Sequence, residues 1–439
     1  MMLTHKNPGF LMWLVVLATL LFAGSASAGM QLDIEKELQL LRDGQAQKHI
    51  GMARYRFAVF TFEDPDNTGL GNAVASILSH DLLMNSKVSS IGVLRYVGDL
   101  SKASGDQQLR YFDKVEPLIE SQGVQVAIWG SIRRSGEGVR IDSFMQLSPS
   151  VMRSAFSFSF SMPPEIGRGR LVHRIGPDRM LTQRIALSPE QAGKLVPVAV
   201  DLDRLRAAPN DHAPYVAQLP LGSVYYVQRR QGEWIQVGLQ SGQSGWLRST
   251  GFCTGSCASL LSVSRFASGL MAYDDRASLP ELSEKLAPDA KAFIDQLWAV
   301  EVLNGAPAKY AEQEALYRLD PWCPAKSGEQ AIPPGGAAIC NLHAIARLIG
   351  LSRKAAWQQL QGGQMKEDTM RSVADELARI SMSDPRHVPT LKNLATLFDF
   401  LGDVERARLA TRLADEAAST GHIPVHELAP SPEPQPSKP

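Results

Sequence analysis

Few residues in this chain combine the type and the spacing that chemistry needs. Ser79-His80-Asp81 contains the three side chains of a hydrolytic triad. Consecutive residues on a helix point about 100° apart, however, and cannot form one hydrogen-bond relay. Gly69-Leu70-Gly71 lies between a strand-like and a helix-like segment, as a dinucleotide-binding loop does. Glu63, Asp64 and Asp66 come just before it and put negative charge where phosphates would sit. A helix-opening loop is the better reading. Arg133-Arg134, in "WGSIRRSGEGVRID" (residues 129–142), is a candidate anion site. Adjacent strand residues face opposite sides of a sheet, so the pair cannot make one clamp. Arg134 shares the face of Ile132 but sits near the hairpin tip, where its head reaches water. No catalytic residue, metal ligand or cofactor is expected from these residues.

The four cysteines are Cys253, Cys257, Cys323 and Cys340. A zinc site would need both pairs to converge, and no histidine is well placed beside them. In an oxidising compartment an even number favours disulfides, with three pairings open. The local pairing is favoured. Cys323 and Cys340 bracket a Pro/Gly-rich loop that a bridge would restrain by about 3 kcal/mol. Cys253 and Cys257 flank the turn-like "TGS". Cys340 and His343 could meet on a helix, but a disulfide-bonded cysteine is no nucleophile. Tyr225, Tyr226, Trp234 and Trp246, on short strands, are the ligand-binding candidates. Strand alternation puts about half of them in the core, and the rest can stack on a peptide or glycan. Trp298, Tyr317 and Trp357 are expected to pack in the core.

The elements that must position these residues follow an export signal. Lys6, the apolar run 10–22 ("FLMWLVVLATLLF") and Ala26-Ser27-Ala28 read as a cleavable signal peptide over residues 1–28. The run is shorter than the ~18 residues a membrane span needs, and no lipobox cysteine follows. The mature protein is therefore expected in the periplasm or secreted, peripheral to a membrane at most. Lys plus Arg and Asp plus Glu are 45 each, so the chain lacks the basic excess of a nucleic-acid binder. Hydrophobic residues make up 44% of 439, enough for several cores.

The fold class expected is multidomain α+β. Residues 31–44 have the spacing of a short amphipathic helix. Residues 55–62 ("YRFAVFTF") read as a buried strand, and 67–85 as a helix with Val74, Ile77, Leu78 and Leu82 on one face. A strand over 88–95 and a helix over 106–123, closed by Gly123, come next. Val126, Ile128 and Ile132 alternate, as do Val139 and Ile141, around a turn at residues 135–138. Phe156, Phe158 and Phe160 mark a further strand, giving a small α/β domain of order β-α-β-α-β-β-β over residues 29–165. Residues 166–199 read as a linker.

Residues 213–249 hold short strands separated by turns at Leu219–Gly222, Gly232-Glu233 and Gly242–Gly245. From about residue 280 the spacing is helical. Residues 384–417 place Leu394, Ala395, Phe398, Gly402, Ala407 and Ala414 where small and large packing residues of a helix pair belong. The Pro-rich segment 421–439 reads as disordered or an extended linker.

These patterns carry three resemblances. "FAVFTFEDPDNTGLGNAVASILSHDLL" and "GVQVAIWGSIRRSGEGVRIDSFMQL", with Phe62-Glu63 and the Gly-Ser-x-Arg-Arg strand, resemble the TolB-like amino-terminal domain of FlgO-type and CsgG-like envelope proteins. No propeller blade repeat follows. Leu205-Arg206, Leu219–Gly222, Gly232–Val237 and Gly242–Leu247 resemble a bacterial SH3 (SH3b) module, implying an SH3-like β-barrel over residues 200–257. "AAPNDHAP" departs from that family's usual turn and puts Asp211 and His212 there as polar contacts. Residues 275–420 resemble a TPR-like all-α domain, with one clear repeat. Together the resemblances imply a non-enzymatic cell-envelope adaptor whose partners are peptidoglycan or envelope proteins. The alternatives are an accessory factor of a flagellar, pilus or curli-like secretion or assembly machine, in which oligomers form, and a cell-wall hydrolase.

Overall fold

The computed structural model describes residues 53–85, 91–96, 123–162, 169–218, 224–239, 243–249, 253–271, 279–304, 311–323, 332, 336–358 and 363–420. The signal peptide expected over 1–28, the helix expected over 31–44, nearly all of that expected over 106–123, the turn expected at 219–222 and the segment 421–439 lie outside them.

Strand β1 (Tyr55–Phe60) is buried from Phe57 to Phe60, on both faces, which marks a central strand. Its two neighbours, β2 (Ile91–Tyr96) and β3 (Val126–Ser135), run parallel to it. Parallel strands need a crossover, and α1 (Leu70–Asn85) supplies the one between β1 and β2. The helix opens under tight steric control. A Cβ on Gly71 would stand 2.4 Å from the Phe62 carbonyl oxygen, and one on Gly130 would stand 2.1 Å from the Phe62 ring. Those two glycines let the end of β1 fold flat between helix and sheet. Asp64 takes the amides of Thr68 and Gly69 at 2.9 and 2.8 Å, so a carboxylate already fills the anion position ahead of α1.

β3 and β4 (Gly138–Leu147) form the expected hairpin, closed by Ser135 opposite Gly138. Beyond it the structure departs from expectation. After α2 (Pro149–Ala155), the strand around Phe158 and Phe160 exists as β5 (Ser157–Ser161), but it leaves the main sheet and pairs with β6 (Arg170–Arg174). The strand beside β4 is instead β7 (Arg179–Leu187). Residues 166–199, expected as a linker, thus supply β6, β7, α3 (Pro189–Gly193) and α4 (Leu195–Leu202). The physical reason is that the inward positions there mix polar residues with the apolar Leu171, Met180 and Leu187. His173, Thr182 and Gln183 are buried among arginines, so no unbroken apolar alternation announces the strands.

Strands β8 (Arg204–Arg206), β9 (Tyr215–Gln218), β10 (Val224–Gln231), β11 (Trp234–Leu239) and β12 (Ser244–Arg248) are antiparallel to their neighbours. β10 also pairs with β2 through Val224–Tyr226. The result is one ten-stranded sheet in the order β7-β4-β3-β1-β2-β10-β11-β12-β8-β9. The segments 29–165 and 200–257, read from sequence as separate domains, thus contribute their described strands β1–β4 and β8–β12 to one sheet. Within the described residues the order is open and ends at β9.

The helices α5 (Ser256–Met271), α6 (Leu279–Leu282), α7 (Pro288–Asn304), α8 (Ala311–Leu319), α9 (Gly336–Gln358), α10 (Gly363–Ser383), α11 (Val388–Phe400) and α12 (Val404–Thr420) complete a mixed α/β architecture. The expected helix pair appears as α11 and α12, joined at Gly402, whose φ is 76°. α5 has no clear apolar period because serines line it. Ser264 and Ser268 bond back to carbonyls three residues earlier, and Ser264 also reaches Asp81 of α1. One continuous apolar cluster runs from Phe57 to Ala410.

Buried amides fasten these helices to the strands. Asn393 of α11 accepts from Val172 N at 2.7 Å and donates to Val172 O at 2.8 Å, as a neighbouring strand would. Gln296 of α7 makes the same two-way contact with Gly176. The cysteines close locally, Cys253 with Cys257 and Cys323 with Cys340, at Cα–Cα distances of 5.3 and 5.4 Å. Among the described residues no helix is long and apolar enough to cross a membrane.

Candidate functional site

Strand register builds a recess at the far half of the sheet. Trp234 lies opposite Arg248, and Trp246 lies opposite Gln236 on one side and Arg206 on the other. Trp246 and Arg248 are two apart on β12, so the two indoles and both guanidiniums share one face. Asp201, Arg204 and Asp211 complete the wall of a cavity of about 270 Å³, and His80 of α1 backs it.

Its guanidiniums are held differently. Arg206 is committed: it donates to the carbonyls of Asp211 (2.8 Å) and Ala213 (3.1 Å) and to the Tyr215 hydroxyl (2.9 Å). That hydroxyl donates onward to Asp201 at 3.0 Å. Arg248 meets the carboxylates of Asp211 and Glu233 at 3.3 and 3.4 Å, all three side chains at least half exposed. Such exposed pairs contribute less than about 1 kcal/mol and exchange readily for a ligand. Arg204 is exposed and lies 5.3 Å from the centre of the Tyr215 ring.

His80 fixes the back of the recess. Its Nε2 is 2.9 Å from the Arg248 carbonyl, and burial pulls its pKa down to about 4. The ring is therefore neutral near pH 7, and because a carbonyl only accepts, Nε2 carries the proton. The recess offers an indole surface for stacking beside exchangeable guanidinium donors. That chemistry suits a sugar ring or a short peptide bearing a carboxylate.

Of the sequence candidates, Trp234, Trp246 and Asp211 line this recess. Trp246 is only 5% exposed and acts as its wall, with Arg229 stacked 4.9 Å away. His212 is exposed, does not line the recess, and uses its backbone amide on Asn210. Tyr225 and Tyr226 pair in β10 with Leu239 and Gly238, and their side chains lie outside the described residues. Arg204 and Arg248 were not singled out in the sequence; Arg206 was named only within the SH3b pattern and His80 only within Ser79-His80-Asp81. The alternation Trp246-x-Arg248 is the one local signal that points to any of them.

The other candidates separate. Ser79, His80 and Asp81 are all buried, but His80 turns to Arg248 and Asp81 to Ser264, so they form no relay. Arg133 pairs with buried Glu63 at 3.2 Å, while Arg134 is exposed and its backbone amide donates to Asp66. Arg230 donates to the carbonyls of Leu83 and Met84 at 2.7 and 3.1 Å, capping α1. His343 lies between Glu376 (2.7 Å) and Asp320 (2.9 Å). Burial opposes its protonation, but the two carboxylates outweigh burial and raise its pKa. Tyr317 is 81% exposed, against the expectation of core packing, and Trp298 is half-buried under Arg318 at 4.2 Å. The side chain of Trp357 lies outside the described residues. Comparison with known protein families, curated proteins and solved structures found no match to this chain.

Proposed function

We propose that the protein is an exported, non-enzymatic adaptor of the cell envelope, residing in the periplasm or outside the cell. In this reading residues 55–147 are a TolB-like α/β unit, β8 to β12 an SH3-like module and α11–α12 a TPR-like helix pair. The module engages peptidoglycan or an envelope protein, and the helices engage a second partner. The observation that carries the reading is the recess between Trp234, Trp246 and Arg248, where a stacking surface meets the loosely paired Arg248 guanidinium. Deleting the module is a poor test, because β10 pairs with β2 and Arg230 caps α1. Point changes at the rim are better. Trp234→Ala and Arg204→Ala should each lower retention on purified cell-wall sacculi about tenfold, the effect of losing ~1.4 kcal/mol of contact. Retention equal to the unaltered protein in both variants would overturn wall binding.

A further inference from the structure

Both ring nitrogens of His343 meet carboxylates. On α9, its Nδ1 is 2.7 Å from Glu376 of α10 and its Nε2 is 2.9 Å from Asp320. A carboxylate oxygen only accepts, so both nitrogens donate and the ring is an imidazolium. Glu376 is held below the usual carboxylate range: burial opposes this, and His343 and Arg347 prevail. Among the described residues, the charged groups that face the ring are Glu376 from α10 and Asp320 from the turn after α8. Arg347, one turn along α9, binds the other oxygen of Glu376, while Arg318 of α8 pairs with Asp295 of α7 at 3.7 Å.

The two carboxylates are not equivalent. The Glu376 side chain is 10% exposed and that of Asp320 is 65% exposed. A neutral ring keeps one N–H and turns a lone pair toward the second carboxylate. Stripping a buried ion of its partner costs far more than releasing an exposed one into water. The remaining proton therefore stays on Nδ1 with Glu376. Asp320 is the partner that leaves.

Asp320 opens the 3₁₀ turn Asp320–Trp322. Pro321 and Trp322 of that turn, with Tyr317 and Asp295, wall a cleft of about 690 Å³. Trp322 Nε1 donates to Asp295 at 3.0 Å, and the Cys323–Cys340 disulfide pins the end of the turn to α9. The turn is thus fastened to α9 covalently at Cys323, and at Asp320 while the His343 ring is charged. We infer that His343 is a pH-operated latch on this cleft. The charged ring holds Asp320 and keeps the Trp322 wall seated. Loss of the proton frees Asp320, and the turn pivots about the cysteine bridge, drawing Trp322 away from Asp295. Burial works against the charge on the ring and the two carboxylates outweigh it, so the folded pKa is raised. The latch is therefore closed below pH ~6.5 and opens as pH rises through that raised value.

Fluorine NMR of the whole protein labelled with fluorotryptophan tests this between pH ~5.5 and ~9.5, with the Trp322 signal identified by Trp322→Phe. The His343 ring, identified in histidine-ring NMR by His343→Gln, should titrate above pH ~6.5, and the Trp322 signal should shift with the same midpoint. Asp320→Asn, at an exposed position, removes the charge and offers a group that pairs with either form of the ring. It should lower the His343 midpoint and abolish the Trp322 step. A ring that titrates at or below pH ~6.5, a Trp322 signal that does not move, or an unchanged step in Asp320→Asn would overturn the latch. These readouts do not depend on wall binding.

Discussion

Acidification tests whether the buried histidines are held neutral by packing. His387 precedes α11 with its Nδ1 2.7 Å from the Thr390 hydroxyl, and burial, reinforced by Arg174, pulls its pKa down to about 3. His80 is held near 4 by burial. His173, beside His387 and Arg174, is also lowered well below its ordinary value, burial again first. An unfolded histidine takes up its proton near pH ~6.5. These folded residues stay neutral there, so their stabilisation is complete above pH ~6.5 and is lost as pH falls toward the folded values. At pH ~5 the unfolded chain is favoured about thirtyfold per histidine relative to pH ~8, which is about 2 kcal/mol each for His387 and His80. His343 works in the opposite direction. With its pKa raised, its contribution is full below pH ~6.5 and disappears as pH rises, so it offsets part of the loss. The clean perturbation is His387→Asn, which keeps a hydrogen-bonding group for Thr390 and removes the titration. Urea unfolding followed by tryptophan fluorescence at pH ~8 and ~5 should show the variant losing about 2 kcal/mol less than the unaltered protein. The same loss in both proteins would refute the assignment of a buried neutral His387.

Two further substitutions probe how the regions are fastened. Asn393→Ala removes the acceptor that the Val172 amide has at 2.7 Å, while the Val172 carbonyl keeps Asn341 Nδ2 at 3.1 Å. Leaving that one half-buried amide unpaired should cost about 1.5 kcal/mol in urea unfolding, and a loss below ~0.5 kcal/mol would mean water replaces the side chain freely. Arg230→Ala removes the fork on Leu83 and Met84 and should cost about 2 kcal/mol by thermal unfolding, with Arg230→Lys recovering only part of it.

What could be seen in the sequence alone was local. The apolar run of β1, the helix face of α1, the alternation of β3 and β4 around Gly136, the small-residue spacing of α11–α12 and the nearest-neighbour pairing of the cysteines all depend on residues close in the chain. Periodicities of 2 and 3.6 residues report them directly. β6 and β7 escaped because their inward positions interrupt Leu171, Met180 and Leu187 with His173, Thr182 and Gln183; Gln183 finds Ser259 and Lys285, and His173 finds Asn341, all far away in the chain. Trp234, Trp246 and Asp211 could be named as candidates, but not the recess they line. That depends on β10 joining β2, on Arg230 reaching α1, and on His80 holding a carbonyl 168 residues away. Polar burial is tolerable only once a partner is in place, and only the folded chain decides which residue that partner is.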